Sequence, residues 1–277
     1  MKILLRKVLT RWLLWTNILI AGSAAGWVIV TLRVLALPLD WALIALAFVL
    51  ALALYTRDRL DEQERQTDRR TMPERTAWIE RHGLALKWVV RGSFFCAAGL
   101  IALRPAALLP LVAGLGFALN YTLRWFPWRG RYVGWKHLPG MKMPFVAILW
   151  TLTSVITPAT VYNCLWQSEI WLLAGAVCAL VMIQILLNDL RDEEGDRAAK
   201  TLSLPALAGQ RVARRVGYGL AIVAALLALP LVSLSVLLTA LYSAFLLRRY
   251  RQVDDARWRA WIEGQGVIAA MTVFWLT

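Results

Sequence analysis

From Val216 to Leu247 the chain carries no Asp, Glu, Lys or Arg. A helix on the surface of a soluble protein needs a polar face, and a strand ends within ten residues or so. A run of this kind therefore calls for an apolar solvent. Similar runs recur at 12–32, 38–56, 86–103, 105–122, 143–162, 169–188 and 262–277, cut apart by charged blocks. A spanning helix needs about 20 apolar residues. The 216–247 run is too long for one ordinary span and short for two. Pro230 stands at its middle, where proline breaks a helix or marks a tight turn. Splitting it into 212–229 and 231–247 gives an all-α, polytopic membrane bundle of about nine transmembrane helices around a central cavity.

Composition and charge support the split. Hydrophobic residues make up 60% and charged residues 17% of the sequence. A soluble domain has about a quarter charged residues, spread more evenly. With the break at Pro230 the charged blocks alternate sides. One side then holds 29 of the 31 Lys and Arg residues, leaving Arg33 and Arg104 on the other. Such a bias places the N-terminus and the four basic loops in the cytoplasm and the C-terminus outside. Without the break, Arg248, Arg249, Arg251, Arg257 and Arg259 would change sides. The net charge of +14 is thus topological, and nucleic acid is not an expected partner. The N-terminal basic residues and apolar stretch resemble a signal peptide, but the stretch continues to Thr31 and reads as a retained first helix. Tryptophans such as Trp12, Trp41, Trp88, Trp125, Trp128, Trp166 and Trp261 fall near span ends, as an interfacial belt would. Cys96, Cys164 and Cys178 have no CxxC spacing and read as small hydrophobes.

Two acidic segments lie at cytoplasmic helix ends. Segment 55–69 reads YTRDRLDEQERQTDR, and segment 188–206 reads NDLRDEEGDRAAKTLSLPA. In the second, Asp189, Asp192 and Asp196 are spaced by 3 and 4, which puts them on one helix face. Clustered carboxylates repel one another unless a cation sits among them. Hard oxygen donors suit magnesium, and Asn188 adds a carbonyl oxygen. The first segment repeats the pattern in two registers. At an offset of 131, Asp58 and Asp61 match Asp189 and Asp192, with Arg57 and Arg65 in place of the Asn and the last Asp. Shifted by three, Asp61, Glu64 and Asp68 share the 3-and-4 spacing. Asp61 belongs to both. The bland reading is a set of solvated loop charges. The equivalent placing of the two segments, four helices apart, instead suggests one domain over 1–277 with a pseudo-repeat of about four helices and a site between the halves.

These residues resemble the UbiA superfamily of intramembrane prenyltransferases, which have nine transmembrane helices and motifs written NDxxDxxxD and DxxxD. Asn188, Asp189, Asp192 and Asp196 match the second motif, as do the trailing Thr201-Leu202, Pro205 and Gly209. The first motif departs from the pattern at Arg57 and Arg65. The resemblance implies transfer of a prenyl group from an allylic prenyl diphosphate to an aromatic or lipid-precursor acceptor, within the cell or inner membrane. It implies Mg2+ held by Asp58, Asp61, Asp68, Asp189, Asp192 and Asp196. Among these, Asp61 and Asp192 are the expected catalytic acids. The family's YxxxK loop has its counterpart in Tyr132 and Lys136, so that Lys136 is a third catalytic candidate. Tyr121 with Arg124, and Lys142 closing the Leu138–Lys142 segment, are alternatives. Arg124, Tyr132, Lys142, Arg197 and Asn188 are the expected substrate contacts.

Three other readings use the same residues. A terpene cyclase of the same fold would close the cation on itself. A CDP-alcohol phosphotransferase needs a DGxxAR segment, which Gly195-Asp196-Arg197-Ala198-Ala199 only superficially resembles. A transporter uses ionisable groups near the bilayer midplane, whereas here the acids gather at one end. A Ser/His/Asp hydrolase has no support, because His82 and His137 lie in loops without a nucleophile motif.

Overall fold

The structure is a computed structural model. It describes residues 12–62, 69, 72–123, 125–128, 130–135, 138–198, 202–250 and 256–276. The described helices are α1 (Ile18–Val34), α2 (Trp41–Arg59), α3 (Pro73–Leu103) and α4 (Leu108–Thr122). A two-stranded antiparallel hairpin follows, β1 (Phe126–Trp128) and β2 (Arg131–Val133), with Pro127 opposite Tyr132. Next come α5 (Lys142–Thr151), a π-helical turn at Leu152–Ile156, and α6 (Thr157–Val161). The long α7 (Ser168–Ala198) precedes α8 (Leu204–Ala228), α9 (Leu234–Arg249), α10 (Ala256–Glu263) and α11 (Gln265–Leu276).

Each apolar run of the sequence carries a helix, and the chain does leave the helix at Pro230, between α8 and α9. Four segments are long and apolar enough to cross a membrane: Trp41–Arg59, Pro73–Leu103, Lys142–Val161 and Ser168–Glu193. Ile18–Val34, Pro105–Asn120 and Gln265–Leu276 are shorter apolar helices. In hydrocarbon the helix satisfies its own backbone groups, which is why apolar runs of this length take that form. Threonines of α5, the π-helical turn and α6 follow the same logic. Thr151, Thr153 and Thr160 each return their hydroxyl to the carbonyl one turn back.

The core is built around α7, which packs against α5, α8, α9 and α10. Its Ile170, Leu173, Val177, Leu180, Ile183 and Leu187 are all fully buried. On the flank, α1 packs against α2 and α11. The α1–α11 crossing is close enough that a Cβ at Gly26 would overlap the Gly266 carbonyl. At the same contact the Gly266 amide donates to Ser23 Oγ at 2.6 Å. Small residues let helix backbones approach in this way inside membranes.

The two ends of the bundle are distinct. At one end Asp40 caps α2, accepting from the amides of Ala42 (3.0 Å) and Leu43 (3.3 Å). It also accepts from Arg104 Nε at 2.6 Å and from the Tyr162 hydroxyl at 3.3 Å. Three connections are thereby tied at one point, after α1, after α3 and after α6. The other end carries the C-terminal ends of α2 and α7, and with them both acidic segments.

Candidate active site

α7 begins beside Tyr162, at the Asp40 end, and runs the length of the bundle into the second acidic segment. The segment stays helical through Asn188–Asp196, so its acids do share a face. Asp189 is buried and accepts a 2.7 Å hydrogen bond from Lys142 Nζ, at the start of α5. Asp192 is half-buried and gripped at both oxygens by Arg191, through Nε at 2.8 Å and Nη2 at 2.6 Å. Arg191 also reaches Asn188 Oδ1 at 3.4 Å. Asp196 Oδ2 is buried and has no hydrogen-bond partner among the described residues. Burial pushes the Asp196 carboxyl above the usual carboxylate range, against the pull of Lys142. Glu193 turns aside: it pairs with Arg197 at 2.8 Å and accepts from Gln210 Nε2 at 2.7 Å. That second contact ties the segment to α8, just beyond Gly209, whose φ of 80° interrupts the helix.

The first segment begins in the last turn of α2. Asp58 and Asp61 are exposed, and the Asp61 amide closes a turn onto the Asp58 carbonyl at 3.1 Å. Arg59, between them, lies within electrostatic reach of Asp192, so the two segments face the same region. One turn back, the Tyr55 hydroxyl accepts from Trp150 Nε1 at 3.1 Å and the rings meet edge to face. Glu64, Arg65 and Asp68 lie outside the described residues, so the alternative register is not represented.

Among the described basic candidates, Lys142 is brought to Asp189 of the motif. Tyr132 is exposed on the hairpin, and Arg197 is exposed but holds Glu193. Arg124, Lys136 and the Tyr121 side chain lie outside the described residues. The loop carrying Lys142 is tied back by the Gly140 amide, which donates to the Leu202 carbonyl at 2.9 Å.

Sequence reasoning missed two features. It took Arg191 as a topological charge, although a neighbour of Asp192 on a helix end is well placed to fork it. It also took Arg259 as a loop residue. Arg259 and Glu263 are in fact both buried on α10 and bonded at 2.5 Å. Their spacing of four residues was the available signal.

The donor set is one that magnesium accepts. Carboxylate and amide oxygens are hard ligands, and Asp196 Oδ2 is a buried acceptor with no donor among the described residues. Among the described residues no three acidic, His or Cys side chains stand close enough to cage an ion. Magnesium does not require such a cage when substrate phosphates complete its shell. The oxygens present therefore fit the metal.

The comparisons with known proteins concern the fold and the family. The model of the UbiA prenyltransferase family matches residues 60–270. A solved structure described as the apo structure of a UbiA homolog from Aeropyrum pernix K1 superposes with a TM-score of 0.61. It shares 18% sequence identity and covers 92% of this chain and 98% of its own, a likeness of fold. No curated protein matches the sequence. An apolar bundle with a DxxD-bearing helix end, matched by the family model over most of its length, belongs to the UbiA prenyltransferase family.

Proposed function

We propose that this protein transfers a prenyl group from an allylic prenyl diphosphate to an aromatic or other lipid-precursor acceptor within the membrane. Family membership implies an intramembrane prenyltransferase, and the assignment of parts is ours. The observation that carries it is the end of α7, where Asp189 meets Lys142 and Asp192 meets Arg191, with Asp196 one turn further on the same helix. Acids and cations side by side suit a ligand that is itself an anion bridged by a cation.

In this reading Asp189, Asp192 and Asp196, with Asp58 in the last turn of α2 and Asp61 just after it, hold Mg2+ and the diphosphate. Bound magnesium neutralises the leaving diphosphate. Lys142 anchors Asp189 and offers its remaining N–H groups to phosphate oxygens. Arg191 fixes the Asp192 rotamer through its fork. Lys136, Arg124, Tyr132, Arg197 and Asn188 remain the further candidates for substrate contact. The Tyr55–Trp150 pair, one turn before Asp58, is aromatic density of the kind that stabilises an allylic cation. The apolar helices receive the prenyl tail, each buried methylene contributing about 0.8 kcal/mol. The C–O bond breaks with its electron pair leaving on the diphosphate. The acceptor's π electrons then form the new C–C bond, and the acceptor loses a proton.

The bundle in this proposal crosses the cell or inner membrane about nine times, with both acidic segments cytoplasmic. The experiment that tests it supplies purified protein with a panel of radiolabelled prenyl diphosphates and a membrane lipid extract. Label recovered in a lipid adduct supports transfer. Volatile hydrocarbon formed without any acceptor would instead identify a cyclase, and flux into proteoliposomes without product a transporter.

A further inference from the structure

The β1–β2 hairpin carries a surface unlike that of a loop in water. Leu123, Trp125, Phe126 and Tyr132 are 55%, 58%, 38% and 70% exposed. Pro127 is exposed as well. Strand residues alternate in direction, so Phe126 and Trp128 take one face and Pro127 and Tyr132 the other. Both faces therefore carry apolar or aromatic residues. A lone two-stranded hairpin is marginal in water and needs a further apolar layer to pack on. The bundle leaves the four large side chains uncovered. The chain rejoins it just afterwards, at the buried Gly134 and at Trp135, whose ring meets Phe145 edge to face at 5.1 Å.

Position and charge indicate what covers the hairpin. Arg104, ahead of α4, is bound to Asp40 at one end of the bundle. The 15 residues of α4 carry the chain about 22 Å toward the other end. After the hairpin, Lys142 reaches Asp189 and the Gly140 amide reaches the Leu202 carbonyl. The hairpin thus lies at the end that holds the acidic segments. Trp125 comes three residues after the last residue of α4, at most about 11 Å along the chain. A membrane helix that ends there leaves the hairpin beside the headgroup layer, where aromatic rings are favoured. The charge of the segment has one sign. Arg124, Arg129 and Arg131 belong to it, and no Asp or Glu occurs from residue 81 to residue 168. Basic residues interleaved with aromatics beside a span suit anionic headgroups, whereas a solvated loop has no use for the rings.

We infer that the β1–β2 hairpin is a membrane-docking element, which seats its aromatic residues in the headgroup layer of an anionic leaflet. The test uses purified full-length protein, one chain per nanodisc. The discs hold phosphatidylcholine alone or mixed with phosphatidylglycerol. A nitroxide is attached at Pro127→Cys in a Cys96→Ala, Cys164→Ala, Cys178→Ala background. A second label, at Ala77→Cys, reports an exposed site on the first turns of α3. Collisions with oxygen, which concentrates in lipid, are compared with those of a water-soluble nickel chelate. In the anionic discs the Pro127 label is expected to favour oxygen and the Ala77 label nickel. That difference is expected to shrink in phosphatidylcholine, and also when Arg124, Arg129 and Arg131 are all changed to Gln. Nickel access at Pro127 equal to that at Ala77 would place the hairpin in water and overturn the inference. Poor access to both agents would overturn it too, since the hairpin would then be folded against protein. A depth unaffected by either loss of charge would overturn the anionic assignment. Should the cysteine-free protein not fold, amide exchange of the wild type in the same discs decides. Residues 126–133 are expected to exchange more slowly in the anionic discs, and equal rates would overturn the inference.

Discussion

Asp196 shows how one side chain separates stability from function. Its Oδ2 is buried with no hydrogen-bond partner among the described residues, and burial raises its carboxyl above the usual value of 3.8. A raised carboxyl binds its proton more tightly in the folded state. The folded protein is therefore penalised once pH exceeds the folded value, and the penalty fades as pH falls toward 3.8. Asp196→Asn is expected to raise the thermal midpoint at pH 7, with the gain shrinking toward pH 4, while metal-dependent turnover is lost. Thermal scans at the two pH values check the first part, and an unchanged or lower midpoint at pH 7 contradicts it. Asp40 makes the opposite case. Burial opposes its charge, but the Arg104 guanidinium and two backbone amides outweigh it and hold its carboxyl below 3.8. The stability it supplies is present above that value and is lost as pH falls through the lowered one. Arg104→Ala is expected to lower the thermal midpoint at pH 7, with the loss shrinking as pH falls through the lowered value of Asp40. A shift independent of pH would show that the clamp is not electrostatic.

Among the elements, the α1–α11 crossing is the least tolerant. A Cβ at Gly26 meets the Gly266 carbonyl and one at Gly266 meets the Ser23 carbonyl, so backbone and not a flexible side chain must yield. Overpacking of this kind destabilises by about 1–3 kcal/mol. Gly26→Val is expected to lower the detergent thermal midpoint by several degrees, whereas Gly92→Val, facing open space on α3, leaves it unchanged. Comparison of the two melts decides it.

Helices were legible in the sequence wherever length and hydropathy alone define them. They were less so where charges continue a helix. α3 starts at Pro73, inside a stretch read as a loop, because its first turns are charged yet amphipathic, burying Thr76 and Ile79 and stacking Trp78 on His82. α7 likewise continues through its acidic segment to Ala198. The π-helical turn at Leu152–Ile156 and the break at Gly264 between α10 and α11 left no periodic signal.

For the whole molecule, the second acidic motif was legible because a helix puts residues three and four apart on one face. Its partners were not. Lys142 meets Asp189 across 47 residues, a contact that only the packing of α5 against α7 creates. The central claim is that this end of the bundle uses Asp192 to activate a prenyl diphosphate. The most direct measurement is Mg2+-dependent release of diphosphate from a radiolabelled allylic substrate by purified wild type and by Asp192→Asn. A loss of about a hundredfold or more in the variant, with its thermal midpoint preserved, is the result expected when a group essential to metal-assisted cleavage is removed. Full turnover by Asp192→Asn would contradict the account.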